Sequence, residues 1–86
     1  MQVGQVVKSL KGHDTGRVYL VIATIAEDFV LLADGKYRKL DGPKQKRVKH
    51  LEVVGNAVVP ENVKDSDIRN ICKLFQEVGH AERRPY

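Results

Sequence analysis

The stretch that most restricts the fold is a run of apolar and β-branched residues at positions 17–26. It reads Arg-Val-Tyr-Leu-Val-Ile-Ala-Thr-Ile-Ala. A short continuous run of this composition is typical of a β-strand that is buried on both faces. With 86 residues, the chain has the length of one small domain. The sequence therefore predicts a single β-rich domain built around this strand.

Four further segments have the composition of short strands. They are residues 3–10, 29–33, 36–40 and 47–54. The pair Asp34-Gly35 indicates a type I′ hairpin turn, because glycine adopts without strain the positive φ that this turn requires. Five short strands at this spacing predict a mostly β fold, a small barrel or a sandwich, and a barrel of this size fills its interior with side chains and leaves no substrate cavity. We therefore expect function to lie on loops and rims.

After Pro60 the pattern changes to that of a helix. Asp65, Ser66 and Asp67 suit the positive end of a helix, and Gly79 is a suitable residue to end it. Apolar residues recur between them at helical spacing. They are Ile68, Ile71, Cys72, Phe75 and Val78, with Leu74 widening the stripe. We expect this stripe to pack on the barrel; a helix that binds a partner is the alternative.

The domain organisation follows from these elements. Residues 1–56 are expected to form the barrel. Residues 57–86 are expected to add a linker, the packed helix and a loose tail at 82–86, all within the same domain.

Positive charge is concentrated in residues 36–50, which hold seven basic side chains and a single acid. The segments before and after this window each carry one net negative charge, so the +4 of the whole chain comes from here. Like charges within about 8 Å repel unless an anion offsets them, and nucleic-acid phosphates are the commonest such anion. The alternatives are a solvated loop that keeps the protein soluble and a basic import signal.

A glycine-aspartate loop lies between the first two predicted strands, with the sequence Gly12-His13-Asp14-Thr15-Gly16-Arg17. The two glycines suit positions of positive φ in a tight loop. The Asp14 carboxylate is expected to accept backbone N–H bonds within the turn.

With Gly4-Gln5-Val6-Val7-Lys8-Ser9 before it and Val18 after it, this loop resembles the KOW motif of ribosomal and transcription-elongation proteins. Three further segments extend the likeness over nearly the whole chain. They are Val-Leu-Leu-Ala-Asp-Gly at 30–35, the basic stretch at 43–51 and Asp-Ile-Arg at 67–69. Together they resemble short bacterial KOW-domain RNA-binding proteins, which are similar to a large-subunit ribosomal protein of archaea and eukaryotes.

The resemblance implies an SH3-like barrel that contacts RNA through the loop after its first strand and through basic patches. Gly12, Asp14 and Gly16 would shape this loop. The residues expected to contact RNA are Lys11, His13, Arg17, Lys36, Tyr37, Arg38, Lys39, Lys44, Lys46, Arg47 and Lys49. His13 stands where a permanently charged residue is common, so the charge at the loop tip is expected to depend on pH.

The sequence offers little for catalysis, and we expect no enzyme activity and no cofactor. His13 and Asp14 could act as a base and the residue that orients it, but no nucleophile has a matching spacing. Metal ligation is equally unsupported, because no two of the candidate ligands have the spacing of a binding motif. These candidates are His13, His50, His80 and Cys72.

The few aromatic residues decide which kind of RNA we expect. Single-strand binders present several exposed aromatic rings for base stacking, and here Tyr37 is the best candidate. Phe29 and Phe75 are expected to be packed in the core. The sequence therefore favours recognition of structured RNA through phosphates and shape, with ribosomal RNA as the expected target.

The expected setting is the cytoplasm. No apolar run approaches the roughly 20 residues of a membrane helix, and no signal peptide is apparent. Cys72 is the single cysteine, which excludes an intramolecular disulfide. We expect a ribosomal or ribosome-associated protein that acts in translation. The alternative from another class is a protein-interaction module that docks on the translation or transcription machinery through its sheet edge or helix.

Overall fold

The computed structural model describes the backbone of residues 1–82 and the side chains of residues 1–76. Within residues 1–82, five strands form one antiparallel sheet in the order β4-β3-β2-β1-β5, followed by one helix. They are β1 (Gln5–Ser9), β2 (Val18–Ala26), β3 (Phe29–Ala33), β4 (Lys44–Arg47), β5 (Leu51–Asn56) and the helix α1 (Asp65–Glu82). A short 3₁₀ turn, Val48–His50, joins β4 to β5. The predicted fold class, a small mostly β barrel-like domain with a C-terminal helix, is confirmed.

The sheet is buried on both faces near its centre. Side chains alternate between faces along a strand, so Val18 and Leu20 of β2 pack with α1, whereas Tyr19 and Val21 face the opposite way. The helix-side cluster contains Val6, Val18, Leu20, Ala33, Ile68 and Cys72. The second cluster contains Val7, Tyr19, Val21, Val30, Leu32 and Leu51. The expectation of a doubly buried strand is thus confirmed for the first half of β2, and its last three residues are exposed.

Helix α1 packs through the predicted stripe, with two corrections. Ile68 and Cys72 are buried, while Ile71 and Phe75 are partly buried against the same cluster. Leu74 does not widen the stripe, because 59% of its surface is exposed. The helix also continues through Gly79 to Glu82, so the expected end at Gly79 is wrong. The side chain of Val78 and the predicted loose tail beyond residue 82 lie outside the described part.

The segment that follows β3 differs from the prediction. Residues 36–40 form turns instead of a charged strand, and β4 begins only at Lys44. The side chain of Asp34 explains the change, because its Oδ1 accepts hydrogen bonds from the backbone N–H groups of Lys36 and Arg38 at 2.9 and 2.8 Å. Among non-glycine residues of the described chain none has positive φ, so Asp34-Gly35 is not a type I′ turn. The last strand correspondingly spans Leu51–Asn56 instead of 47–54.

This loop is held against the start of α1. The backbone N–H of Leu40 donates to Asp65 Oδ1 at 2.8 Å. A Cβ atom at position 35 would clash with backbone atoms of Asp65 and Arg69, so glycine is needed there for close approach to the helix. The N–H of Lys64 donates to Asp67 Oδ2 at 2.9 Å and thereby fixes the first turn of α1.

None of the helical segments within residues 1–82 has the length and apolar composition needed to cross a membrane.

Candidate functional site

The loop between β1 and β2 is a tight structure closed by its two glycines. Gly12 and Gly16 both have φ of 91°, as the sequence predicts. The Thr15 hydroxyl donates to the Gly12 carbonyl at 2.7 Å, and the Gly16 N–H donates to the Ser9 carbonyl at 2.8 Å. His13 and Thr15 are exposed at the tip. The loop therefore has a fixed backbone that presents its flanking side chains to solvent.

Asp14 is the anchor of this loop, and it points inward. Only 6% of its surface is exposed. Its carboxylate accepts hydrogen bonds from the Ser9 hydroxyl at 2.8 Å and the Tyr19 hydroxyl at 2.9 Å. Lys46 Nζ and Lys44 Nζ approach it at 2.6 and 3.0 Å. The expectation that Asp14 bonds backbone N–H groups is wrong, because within the described residues all partners of its carboxylate are side chains. We call Asp14, Ser9, Tyr19, Lys44 and Lys46 the Asp14 cluster.

Lys46 belongs to this cluster and is not available to a phosphate. Its ammonium donates to Asp14 Oδ1, to Ser9 Oγ at 2.6 Å and to the Lys11 carbonyl at 2.7 Å. A lysine ammonium has three N–H groups, so all of them are used inside the protein. The side chain is 9% exposed. The assignment of Lys46 as an RNA-contacting residue is therefore corrected: it holds β4 to the loop.

The cluster keeps Asp14 ionised. Burial alone raises the pKa of a carboxyl group, but here the hydrogen bonds outweigh it, first that from Lys46 and then those from Lys44, Ser9 and Tyr19. The pKa of Asp14 therefore lies well below its usual range. The pKa of Tyr19 is raised, because the ring is buried and its hydroxyl donates to the Asp14 carboxylate. Ionised Asp14 thus partly neutralises Lys44, whose side chain remains 27% exposed.

Three further cations, Lys11, Lys49 and Arg47, lie close enough to His50 in the 3₁₀ turn to influence its pKa. Lys11, Arg47 and Lys49 are exposed, and we call these three residues the loop patch. His50, in the adjoining 3₁₀ turn, has a lowered pKa, because of its desolvation and then because of the nearby charges of Lys11, Lys49, Lys46 and Arg47. The Arg47 guanidinium carbon lies 5.2 Å from the centroid of the Phe29 ring. The loop patch thus contributes three exposed positive charges near the 3₁₀ turn.

A second basic surface lies between the start of β2, the loop after β3 and α1. It is an open groove of about 540 Å³, which we call the Tyr37 groove. Its lining residues are Arg17, Val18, Asp34, Lys36, Tyr37, Arg69, Cys72, Lys73 and Gln76. Tyr37 is 64% exposed. The Arg17 guanidinium carbon lies 4.5 Å, and Lys36 Nζ 5.0 Å, from the centroid of the Tyr37 ring, so two cations interact with it.

The structure thus divides the predicted RNA-contacting residues among five places. Arg17, Lys36 and Tyr37 meet in the groove, and Lys44 and Lys46 lie in the Asp14 cluster. The others are exposed: Lys11, Arg47 and Lys49 in the loop patch, His13 at the loop tip, and Arg38 and Lys39 in the loop after β3.

Sequence reasoning missed the contribution of α1 to the groove. Arg69, Lys73 and Gln76 line it from the helix side. Their spacing of four and then three residues places them on one helix face, next to the buried stripe of Ile68 and Cys72. This polar stripe was the signal that could have indicated a second surface.

Cys72 has no features of an activated nucleophile. Burial, followed by the charge of Asp34, raises the pKa of its thiol to about 12. A thiol of this pKa stays protonated, and reactive cysteines have a lowered pKa instead. Among the residues described, no group of three or more His, Cys, Asp or Glu side chains could hold a metal ion.

No protein-family model and no curated protein matches the chain. The likeness to KOW domains therefore rests on the motifs quoted from the sequence.

Proposed function

We propose that this protein is a non-catalytic, KOW-type RNA-binding protein, ribosomal or ribosome-associated, that binds structured ribosomal RNA through the loop patch and the Tyr37 groove. The observation that carries the proposal is the distribution of cations around the loop after β1. Buried Asp14 neutralises Lys46 and part of the charge of Lys44, whereas Lys11, Arg47 and Lys49 remain exposed near the 3₁₀ turn that adjoins the loop.

Electrostatics supports this reading of the loop patch. Side chains of like charge that lie close together raise the free energy of the folded protein unless an anion offsets them. The charges of the three loop-patch residues also contribute, after desolvation, to the lowered pKa of His50. A phosphate backbone supplies regularly spaced anions and gains affinity by releasing its counterions when cations replace them.

The aromatic residues support structured RNA as the ligand. Tyr19 is buried, and Phe29 and Phe75 are partly buried. Among the described aromatic side chains, only Tyr37 is mostly exposed. A protein that binds single strands without sequence preference stacks several successive bases on aromatic rings. One exposed ring suits a ligand that is held mainly by its phosphates.

A salt titration tests the proposal. With a ribosomal RNA fragment that contains a folded hairpin, fluorescence anisotropy should give a slope of log K against log salt of about −3 to −5, if four to six phosphates are neutralised. The triple variant Lys11→Gln, Arg47→Gln, Lys49→Gln should flatten this slope by about 2 to 3 units. Lys64→Gln, an exposed charge outside both surfaces, is the control.

The ribosomal part of the proposal needs a second measurement. Tagged protein should sediment with ribosomal particles and lose this association after nuclease treatment. A triple variant with the wild-type slope would refute the loop patch as the RNA contact. Association that survives nuclease would contradict binding to ribosomal RNA.

A protein-interaction module is the second candidate, and one observation favours it. Strand β5 lies at an edge of the sheet, and Val53 and Val54 on it are 44% and 37% exposed. Val58, shortly after β5, is 96% exposed. Exposed strand edges with apolar side chains are common docking sites for extended peptides. A complex with a protein that tolerates high salt would favour this function over RNA binding.

A further inference from the structure

The Tyr37 groove combines features that the loop patch lacks. Its floor is apolar, formed by the buried residues Val18 and Cys72. Its rim is basic, and one exposed aromatic ring stands beside it. We propose that this groove binds a single unpaired nucleotide of the RNA, with its phosphate at the basic rim and its base against the ring and the floor. The proposal rests on the RNA-binding function proposed above and adds which part of the RNA the groove takes.

The size of the groove suits one nucleotide better than a duplex. Its volume of about 540 Å³ falls within the range of sites that take a single small molecule. A paired nucleotide keeps its base inside the helix, so only a nucleotide in a loop, a bulge or an end can insert its base. The groove therefore selects for an interruption in the paired structure.

The charges of the lining favour an anion. Among the described lining residues, four are basic, namely Arg17, Lys36, Arg69 and Lys73, and one is acidic, which gives a net charge of +3. That carboxylate, Asp34, is engaged through Oδ1 by the N–H groups of Lys36 and Arg38. Arg17 presents a planar set of N–H donors that matches a phosphate in two-point contact.

Base recognition has its own groups in the groove. RNA bases that leave a helix stack on aromatic rings or on arginine guanidinium planes, and Arg17 lies over Tyr37, so the pair offers both kinds of surface. Gln76, exposed on α1, carries an amide that can donate to and accept from a base edge. The apolar floor gives no reason to retain a free inorganic phosphate, but it suits the face of a base.

Continuity with the loop favours RNA over a phosphopeptide. Arg17 directly follows Gly16, so one residue belongs both to the loop after β1 and to the groove. An RNA that contacts the loop after β1 can therefore also reach the groove through Arg17. A phosphotyrosine peptide shares the chemistry of an anion and a ring, and it is the rival outcome of the test.

The first experiment tests the groove of the whole protein with a single nucleotide as the ligand. NMR titration of the ¹⁵N-labelled protein with adenosine monophosphate should shift amide signals of Tyr37, Arg69 and Lys73 at millimolar concentration. Inorganic phosphate should bind at least about fivefold more weakly. Tyr37→Leu should weaken nucleotide binding about tenfold, the scale of one base stacked on an aromatic ring. Lys64→Gln should leave it unchanged. Equal binding of inorganic phosphate, or tighter binding of phosphotyrosine, would overturn the proposal.

The second experiment compares two RNA hairpins that differ by one bulged nucleotide. The wild-type protein should bind the bulged hairpin about tenfold more tightly than the fully paired one. Tyr37→Leu should abolish this preference, whereas Lys49→Gln should weaken both complexes alike. A wild-type protein that binds both hairpins equally, with steep salt dependence, would overturn the groove proposal and leave the RNA-binding function standing. A protein that binds neither hairpin would overturn both.

Discussion

The Asp14 cluster and the Tyr37 groove both contain basic side chains. In the cluster these side chains pair with a buried acid, whereas in the groove they line an open surface. In the cluster, Lys44 and Lys46 converge on a buried carboxylate that also binds two hydroxyl groups. In the groove, the carboxylate of Asp34 accepts hydrogen bonds from backbone N–H groups, and two of the cations, Arg17 and Lys36, lie against an exposed ring. A charge in the sequence therefore indicates a binding surface only after its burial and its nearest acid are known.

The largest loss of stability should come from a substitution that disrupts the Asp14 cluster. Lys46→Met removes the ammonium and leaves Asp14 buried with only part of its compensation, which should lower the free energy of unfolding at pH 7 by about 3–5 kcal/mol. Urea denaturation followed by circular dichroism measures the change. Lys49→Met, an exposed neighbour, is the control and should lie within about 0.5 kcal/mol of wild type. Equal stabilities would mean that Lys46 does not pair with Asp14.

The pH dependence of the same two proteins sharpens this point. The pKa of folded Asp14 is depressed, so its contribution to stability is present above the unfolded value of 3.8 and is lost as the pH falls below it. Wild-type stability should therefore decline between about pH 5 and pH 2. In Lys46→Met the decline should be shallower, because the main hydrogen bond that depresses the pKa is gone. Parallel curves would contradict the role of Lys46.

A second prediction concerns the helix that forms one wall of the groove. Ile68 is fully buried, and Ile68→Ala should lower the free energy of unfolding by about 3 kcal/mol. Leu74→Ala on the exposed side of the helix is the matched control, with an expected change below about 0.5 kcal/mol. Thermal denaturation compares them. A larger effect at Leu74 would mean that the helix packs through a different face.

A third prediction tests the backbone of the loop. Gly16 has a φ of 91°, and a methyl group added there would meet no atom within 4 Å, so Gly16→Ala should cost about 1 kcal/mol through backbone strain alone. Gly42 is equally uncrowded but does not have positive φ, so Gly42→Ala is the matched control. It should be neutral or slightly stabilising. Thermal midpoints that fall equally in both variants would exclude strain at Gly16 as the cause.

The smallest effect on stability should come from a substitution in the Tyr37 groove. Arg17→Gln removes the same charge as a cluster variant, but Arg17 is exposed and its contact with Tyr37 contributes about 0.5–1 kcal/mol at most. Chemical denaturation should therefore show almost no change, while binding of adenosine monophosphate weakens. A loss of stability as large as that of Lys46→Met would remove the contrast between the two regions.

Local features of the sequence predicted the parts of the fold that depend on neighbours in the chain. The composition of residues 17–26 reflects burial of one strand, and this burial is confirmed for the first half of the strand. The spacing of Ile68 and Cys72 reflects burial of one helix face, which is confirmed at both residues. The positive φ of Gly12 and Gly16 follows from the loop itself. The prediction of a strand at residues 36–40 is wrong, because the side chain of Asp34 accepts hydrogen bonds from backbone N–H groups that a strand would have paired elsewhere.

The candidate site was less accessible to sequence reasoning, since its contacts join distant segments. Strand β4 is a run of four polar residues, so no apolar alternation indicates that Lys46 points inward. Its burial depends on Asp14, which lies 32 residues earlier in the chain. The groove depends in the same way on how α1 sits against the loop after β3.

The long-range contacts of Lys46 also affect the order in which parts of the domain fold. Its ammonium bonds Ser9, Lys11 and Asp14, which precede it by 37, 35 and 32 residues. Contacts of such high sequence separation require closure of a long chain segment, and they form late compared with local turns. A nascent chain that has emerged only as far as β3 therefore carries the glycines of the loop but not the residue that secures it. Lys46 is held at the loop by the pairing of β4 with β3, so a peptide that ends after β3 lacks this anchor and should not reproduce the binding of the whole domain.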